Sequence, residues 1–191
     1  MPAPQTNECA TLKSIKEIKP HTFIFAQGKA LPIDVCNEMV RRFETQVDEQ
    51  YEGRIGQTVL KDRTIKQSTD LVISGKEHWK DIDHALFRSL STAIREFREV
   101  FPYFKGPFKD SGYAMQRTAT GEFYHWHIDG GSHEFSQRQL VAVWYLNDVL
   151  GPGGETEFLF QGLKVRPEAG KLLLFPPFWT HEHRGTKLHQ G

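Results

Sequence analysis

The sequence predicts an α+β fold whose core is mainly β, with helices in the N-terminal half and short strands in the C-terminal half. Two observations support this division. A long segment before residue 101 repeats its apolar residues at helical spacing, whereas from Gly112 onward short β-type runs alternate with glycine and proline turns. Both kinds of element must bury an apolar face, so we expect the helices to pack on one outer face of the sheet.

The N-terminal half begins with a polar stretch. Residues 1–20 are expected to form a loosely ordered tail, and residues 21–191 a single domain. The segment "HTFIFAQGKAL" alternates around Phe23 and Phe25 and predicts a strand. Two amphipathic helices are then predicted, over "LPIDVCNEMVRRFETQ" and "HWKDIDHALFRSLSTAIREFREVF".

A long polar segment separates the two predicted helices. It contains a glycine-rich part and predicts either a pair of weak strands or a long mobile loop. We interpret its portion from Gly53 to Asp70 as a candidate lid over a site, with Arg63 as a residue that touches substrate.

Composition narrows the class of function. The 24 basic and 24 acidic residues balance, so charge gives no indication of a nucleic-acid or anionic-membrane partner. The two cysteines are too few for a disulfide framework. We found neither an apolar run of membrane-spanning length nor a signal peptide, and therefore expect a cytoplasmic protein.

The stretch "FYHWHIDGG" carries the first candidate metal ligands, His127 and Asp129. On a strand, residues two apart share a face, although such a pair alone is more often surface decoration than a ligand set. Further along, "FWTHEHRG" adds His181 and His183, which alternation again places on one face. Two imidazoles and one carboxylate on one side of a divalent metal are typical of non-haem iron oxygenases, because the other side stays open.

Three C-terminal blocks resemble the prolyl 4-hydroxylase-like 2-oxoglutarate and iron(II)-dependent dioxygenases. "MQRTATGEFYHWHID" is similar to the strand with the family's first ligands, and "RQLVAVWYLNDVLGPGGETEF" to its Arg…Tyr-Leu-Asn…Gly-Gly-Glu-Thr segment. "VRPEAGKLLLFPP" is similar to the turn and strand before the second histidine. The resemblance extends more weakly upstream to about Phe23, and it implies a double-stranded β-helix, a jelly-roll or cupin-like fold with the metal at one mouth.

The resemblance also implies a ligand set for Fe(II). The set is His127, Asp129 and His183, since the family's spacing after its second histidine favours His183 over His181. His181 would then line the mouth of the site or form a hydrogen bond that supports the ligands.

The co-substrates implied by the resemblance are 2-oxoglutarate and O2, with ascorbate as a further reductant. Tyr145 and Tyr124 are the candidates for binding 2-oxoglutarate, and either hydroxyl would equally suit a buried bond to the backbone. Arg138 is the candidate substrate-binding arginine, with a surface salt bridge as the alternative. The family's basic residue for the distal carboxylate, and the last strand that carries it, are expected past Gly191.

These expectations amount to a dioxygenase that hydroxylates an unactivated C–H bond, by default in a peptidyl proline. Free amino acids, other protein side chains and small metabolites remain open as substrates. One alternative is a cupin-like metalloenzyme that does not use 2-oxoglutarate, with His125 or Glu134 as a further ligand. The other is a jelly-roll binding module that recognises carbohydrate or peptide through its aromatic residues.

Overall fold

The computed structural model describes residues 14–56, 61–133 and 135–190. Within these residues the α-helices are α1 (Ile33–Thr45) and α2 (Lys80–Val100). The strands are β1 (Lys16–Glu17), β2 (Phe25–Gln27), β3 (Tyr51–Glu52), β4 (Lys66–Gln67), β5 (Thr69–Val72), β6 (Ala114–Arg117), β7 (Phe123–His127), β8 (Val141–Trp144), β9 (Thr156–Phe158), β10 (Leu163–Val165), β11 (Leu172–Phe175) and β12 (His183–Gly185). The prediction of a mainly β fold with few helices is confirmed.

The strands form three antiparallel sheets. One sheet has the order β1-β2-β11-β8, the second β10-β9-β12-β7-β4, and the third β3-β5-β6. In the second sheet, β12 pairs with both β7 and β9, which are distant from it in the sequence, so these three strands are brought side by side by pairings that no local turn creates.

The strand β11 shows how the sheets share cores. All four of its residues are buried, and they alternate between two clusters. Leu172 and Leu174 pack with the α2 residues Ala93 and Phe97, whereas Leu173 and Phe175 pack in a cluster with Phe158 of β9. A strand buried on both faces reads as a continuous apolar run, as "LLLF" does.

The apolar stripes of the two helices also meet strands. A further core joins α1, α2 and the strands β5 and β6 through buried residues that include Cys36, Met39, Phe43, Ile82, Leu86, Leu71 and Met115. Among the residues described, no helix is both long and apolar enough to cross a bilayer.

Two local expectations need revision. Residues 1–13 lie outside the described part of the chain, but β1 falls inside the stretch expected to be a loose tail. Ile15 is buried, and Ser14 donates hydrogen bonds to Glu96 of α2, which holds this stretch in place. The strand predicted around Phe23 begins only at Phe25, because Phe23 has a φ of 55° and leaves the extended conformation.

The candidate lid from Gly53 to Asp70 is described in part, since residues 57–60 lie outside the described ranges. Its later portion contains β4 and the start of β5. Short strands thus occur at both ends of this polar segment, and the described residues between them are turns and irregular structure.

Candidate metal centre

Three strand ends meet where the candidate ligands lie. His127 is the last residue of β7, and its register partner His183 is the first residue of β12. On its other side His183 pairs with Phe158, the last residue of β9. Asp129 follows β7 in a bend, so the His-x-Asp pair straddles the strand end instead of lying within the strand.

His127, Asp129 and His183 form a compact group. Their ligand atoms all lie within 4.8 Å of one another, and His183 Nε2 is 3.3 Å from Asp129 Oδ2. His183 is buried, while the other two are half-buried. Within residues 14–56, 61–133 and 135–190, no other set of three His, Cys, Asp or Glu side chains comes this close.

The main chain sets the orientation of both imidazoles. His127 Nδ1 lies 2.8 Å from the carbonyl oxygen of His125, and His183 Nδ1 lies 3.0 Å from that of His181. A carbonyl oxygen only accepts, so each Nδ1 bears a hydrogen and each Nε2 is the nitrogen turned toward the group. This is the tautomer that a metal-binding histidine needs, and the donor set therefore fits a divalent ion.

The electrostatics of the group also favour a cation. Burial, reinforced by the nearby His183, lowers the pKa of His127 to about 4, so its ring is neutral near pH 7. Burial by itself would raise the pKa of Asp129, but the hydrogen bond from His183 and the charges of His183, His127 and Arg138 outweigh it and leave that pKa lowered. The group therefore presents a carboxylate and a neutral imidazole side by side.

An extra residue in β7 places Tyr124 on the same face as His127. Two steps along β12, from His183 to Gly185, match three steps along β7, from His127 to Tyr124, which is a β-bulge. The Tyr124 ring consequently stacks on the His127 ring, with centroids 3.6 Å apart and planes 12° apart. Burial raises the pKa of Tyr124 to about 12, so its hydroxyl keeps its hydrogen.

Behind Tyr124 lies a buried ion pair that sequence reasoning missed. Lys66 Nζ is 2.7 Å from Asp70 Oδ2 and 5.0 Å from the centre of the Tyr124 ring. Lys66 is the only buried lysine or arginine in the part of the chain that the structure describes. In the sequence the pair sits in a polar segment, where nothing distinguishes it from two solvated charges.

The other predicted site residues have partners of their own. The Tyr145 hydroxyl donates to Thr156 Oγ1 at 2.7 Å, and burial raises the pKa of Tyr145 to about 12. Arg138 Nη1 donates to the main-chain oxygen of Asp129 at 2.8 Å. Arg63 is 71% exposed and pairs with Glu52, so none of its described contacts reaches the ligand group.

The expectation that His181 and His183 share a strand face is wrong. His181 ends a short 3-10 helix, Trp179–His181, before β12 begins. Its buried ring lies 2.9 Å from the carbonyl oxygen of Thr22 through Nε2, and only its main-chain oxygen contacts a ligand residue. The structure thus brings His183 to the pair and turns the His181 ring elsewhere.

Of the two further ligands considered for the cupin-like alternative, His125 is not in the group. His125 is exposed, and its Nδ1 accepts a hydrogen bond from the main-chain nitrogen of Trp126. Glu134 lies outside the described residues.

The group brings together two imidazoles and one carboxylate, the donor set that is typical of non-haem iron oxygenases. Residues 113–191, which contain all three side chains, match the model of the 2OG-Fe(II) oxygenase superfamily. This match, together with the donor set, supports a 2-oxoglutarate-dependent dioxygenase activity with Fe(II), 2-oxoglutarate and O2. The match does not favour the cupin-like enzyme or the binding module.

Solved structures agree with this assignment at the level of the fold. A prolyl 4-hydroxylase from Pseudomonas putida is 23% identical over 88% of this chain and 87% of its own, with a TM-score of 0.66. A Trichoplax adhaerens prolyl hydroxylase, in complex with a peptide fragment of the oxygen degradation domain of hypoxia inducible factor, is 17% identical over 88% and 79%, with a TM-score of 0.72.

A third structure, the viral collagen prolyl hydroxylase of Paramecium bursaria Chlorella virus-1 in a 2-oxoglutarate complex, is 15% identical over 87% of this chain and 90% of its own. Its TM-score is 0.62. A search of curated proteins gave no match. At these identities the likeness establishes a shared, jelly-roll-like fold of the prolyl hydroxylase type.

Proposed function

We propose that this dioxygenase hydroxylates a peptide or protein substrate, with a prolyl residue as the default target. Two kinds of support exist. The fold is that of prolyl hydroxylases, one of which was solved with a bound peptide fragment. The observation that carries the metal-dependent part of the proposal is the fixed tautomer of both imidazoles, which leaves their Nε2 atoms beside the Asp129 carboxylate.

We assign His127, Asp129 and His183 as the residues that hold Fe(II). Bound there, the ion would activate O2, which is the oxidant; one oxygen atom would hydroxylate an unactivated C–H bond while 2-oxoglutarate is oxidised to succinate and CO2, and ascorbate would serve as an accessory reductant. The chain supplies orientation. The carbonyl oxygens of His125 and His181 hold the two rings, and Arg138 holds the main chain of Asp129.

Of the two tyrosines predicted to bind 2-oxoglutarate, we favour Tyr124. Its ring stacks on His127, so it lines the same face as a proposed ligand. No hydrogen bond of its hydroxyl occurs among the described residues, whereas the Tyr145 hydroxyl is engaged by Thr156. A hydroxyl that keeps its hydrogen can donate to a carboxylate of the co-substrate.

We assign Arg138 as a residue near the bound substrate, because it lies against the Asp129 loop, and keep Arg63 as a weaker candidate. We propose further that residues 21–191 form one domain in which the sheets build a double-stranded β-helix with the helices against one sheet. The core shared by α1, α2, β5 and β6 supports this arrangement, although α2 also packs on β11 of another sheet.

Anaerobic titration tests the ligand assignment. Fe(II) and 2-oxoglutarate together should produce a weak visible charge-transfer band, and His127→Ala should abolish it. His133→Ala, which changes an exposed histidine nearby, is the matched control and should keep the band. Persistence of the band in His127→Ala would contradict the assignment. Succinate release measured with proline-rich peptides and with free amino acids then tests the substrate class.

A further inference from the structure

The buried ion pair between Lys66 and Asp70 lies beside the ligand group but takes no part in the proposed binding of Fe(II). Lys66 of β4 is the register partner of Tyr124 in β7, and directly opposed residues of an antiparallel pair lie on the same face. The Lys66 ammonium consequently comes within 5.0 Å of the centre of the Tyr124 ring. The other ring that Tyr124 contacts is the imidazole of His127, with centroids 3.6 Å apart.

The ammonium of Lys66 is held in a defined place. Asp70 Oδ2 accepts from Lys66 Nζ at 2.7 Å, and Asp70 Oδ1 accepts from the Ser68 hydroxyl at 2.8 Å, so both carboxylate oxygens have a donor. The buried main chain of Gly53 covers the pair, since a Cβ there would lie 2.2 Å from Ser68 Oγ and 3.0 Å from Lys66 Cε. A glycine at this position allows the close approach.

Stability alone does not account for a buried ion pair at this position. Removing two charges from water is costly, and apolar residues of similar volume are often as stabilising or more so. An ammonium beside an aromatic ring has a further effect, because it is attracted to the electron-rich face of that ring, most strongly where both are shielded from water. The attraction favours one position of the ring over others.

We propose that Lys66 is a positioning residue whose ammonium fixes the Tyr124 ring against His127. Asp70 and Ser68 hold the ammonium for this role. The inference rests on the proposed function, because the fixed ring directs the Tyr124 hydroxyl, our preferred donor to 2-oxoglutarate. Lys66 acts on the co-substrate through Tyr124, since its own charge is already paired with a carboxylate.

Fluorine NMR measures the position of the ring without metal or co-substrate. The protein is labelled with fluorotyrosine, and Tyr124→Phe identifies the signal of Tyr124. Lys66→Met/Asp70→Asn removes both charges and keeps chain length and an acceptor oxygen, so this double variant should fold, which urea midpoints check. Its Tyr124 signal should differ more between H2O and D2O than in the parent, because a released ring gains contact with water. Lys80→Met/Glu77→Gln removes an exposed ion pair and should leave that difference unchanged.

Binding of 2-oxoglutarate gives a second measurement. Anaerobic titration of the Fe(II)-loaded protein, followed by the charge-transfer band, should show about tenfold weaker binding in Lys66→Met/Asp70→Asn and in Tyr124→Phe. Combining all three substitutions should cause no further loss, because the changes act through the same ring.

Two results would overturn the role of Lys66. Unchanged water contact of the Tyr124 ring in Lys66→Met/Asp70→Asn would mean that the ring keeps its position without the ammonium. Losses of affinity that multiply when the substitutions are combined would mean that Lys66 acts independently of Tyr124. If the parent binds Fe(II) but not 2-oxoglutarate, the proposed function fails, while the fluorine signal of the metal-free protein still decides the role of Lys66.

Discussion

The two ends of the sheet β10-β9-β12-β7-β4 differ in whether their polar groups find hydrogen-bond partners within the protein. At the end away from the ligands, the chain closes on itself: Gly121 N donates to Leu188 O at 2.7 Å, and Thr186 N donates to Glu155 O at 2.9 Å. At the ligand end, imidazole nitrogens and a carboxylate point at a shared space, and large apolar side chains are left exposed. The polar groups at one end are hydrogen-bonded within the protein, whereas those at the other end are arranged to contact a bound group.

The same difference is seen along a single strand, whose two ends have different roles. In β12, His183 is buried and faces the group, while the Thr186 side chain just beyond the strand donates to Glu155. Changes at the ligand end should therefore alter binding more than folding, and changes at the opposite end should alter folding alone. The core residues between the ends should affect both.

The largest effect is expected from His183→Ala. Loss of a ligand should lower metal affinity by more than about a hundredfold, because changing only the groups that support a ligand already costs 10–100-fold. Anaerobic calorimetric titration with Fe(II) measures it. His189→Ala, an exposed histidine at the opposite end, should bind like the parent protein. Equal affinities of the two variants would remove His183 from the ligand set.

A large effect on folding is expected from Phe158→Ala. Phe158 is fully buried, and its ring centroid lies 4.9 Å from that of Phe175 and 5.6 Å from that of His183. The cavity should lower the free energy of unfolding by about 3–5 kcal/mol, measured by urea denaturation. The exposed Leu150→Ala should change it by less than about 0.5 kcal/mol. A small loss for Phe158→Ala would mean that the core beside the ligands is loosely packed.

A moderate effect is expected from pH on the metal-free protein. The pKa of His127 falls from 6.5 to about 4 on folding, so between these values the unfolded chain binds a proton that the folded chain does not. Stability should therefore decrease as the pH falls from 6.5 toward 4, with a contribution on the order of 2 kcal/mol from this half-buried ring.

His127→Gln isolates that contribution, because burial lowers the pKa of His181 in the same direction. The loss of stability between pH 7 and pH 5, measured from urea midpoints, should be smaller in His127→Gln than in the parent. Parallel pH profiles of the two proteins would show that His127 does not become harder to protonate on folding.

The smallest effect is expected from Thr186→Val at the opposite end. The Thr186 hydroxyl donates to Glu155 Oε2 at 2.7 Å and accepts from Glu155 N at 2.9 Å. Its loss should lower the free energy of unfolding by about 1 kcal/mol and leave Fe(II) affinity unchanged. A change in metal affinity would show that the two ends are coupled.

Periodicity and motif spacing predicted much of this molecule. Residue periodicity predicted the two helices and the buried run "LLLF". The family resemblance predicted the grouping of His127, Asp129 and His183. Patterns failed where a residue leaves regular structure. His181 ends a 3-10 helix, so strand alternation did not apply to it.

Other features were beyond sequence patterns because they depend on long-range pairing. The buried Lys66–Asp70 ion pair lies where β4 pairs with β7 and β5 pairs with β6, and both pairings join segments that are distant in sequence. The carbonyl oxygens of His125 and His181 that orient the imidazoles belong to the main chain, and side-chain identity carries no information about them.

The bulge in β7 has a consequence for any attempt to redesign this protein. Side chains on a regular strand change sides at every step, so positions an odd number of residues apart look in opposite directions. The additional residue between Tyr124 and His127 reverses this parity and lets both look inward. Deleting one residue there would leave Tyr124 and all three candidate ligands in the sequence. The Tyr124 side chain would nevertheless point to the opposite face of the strand from His127.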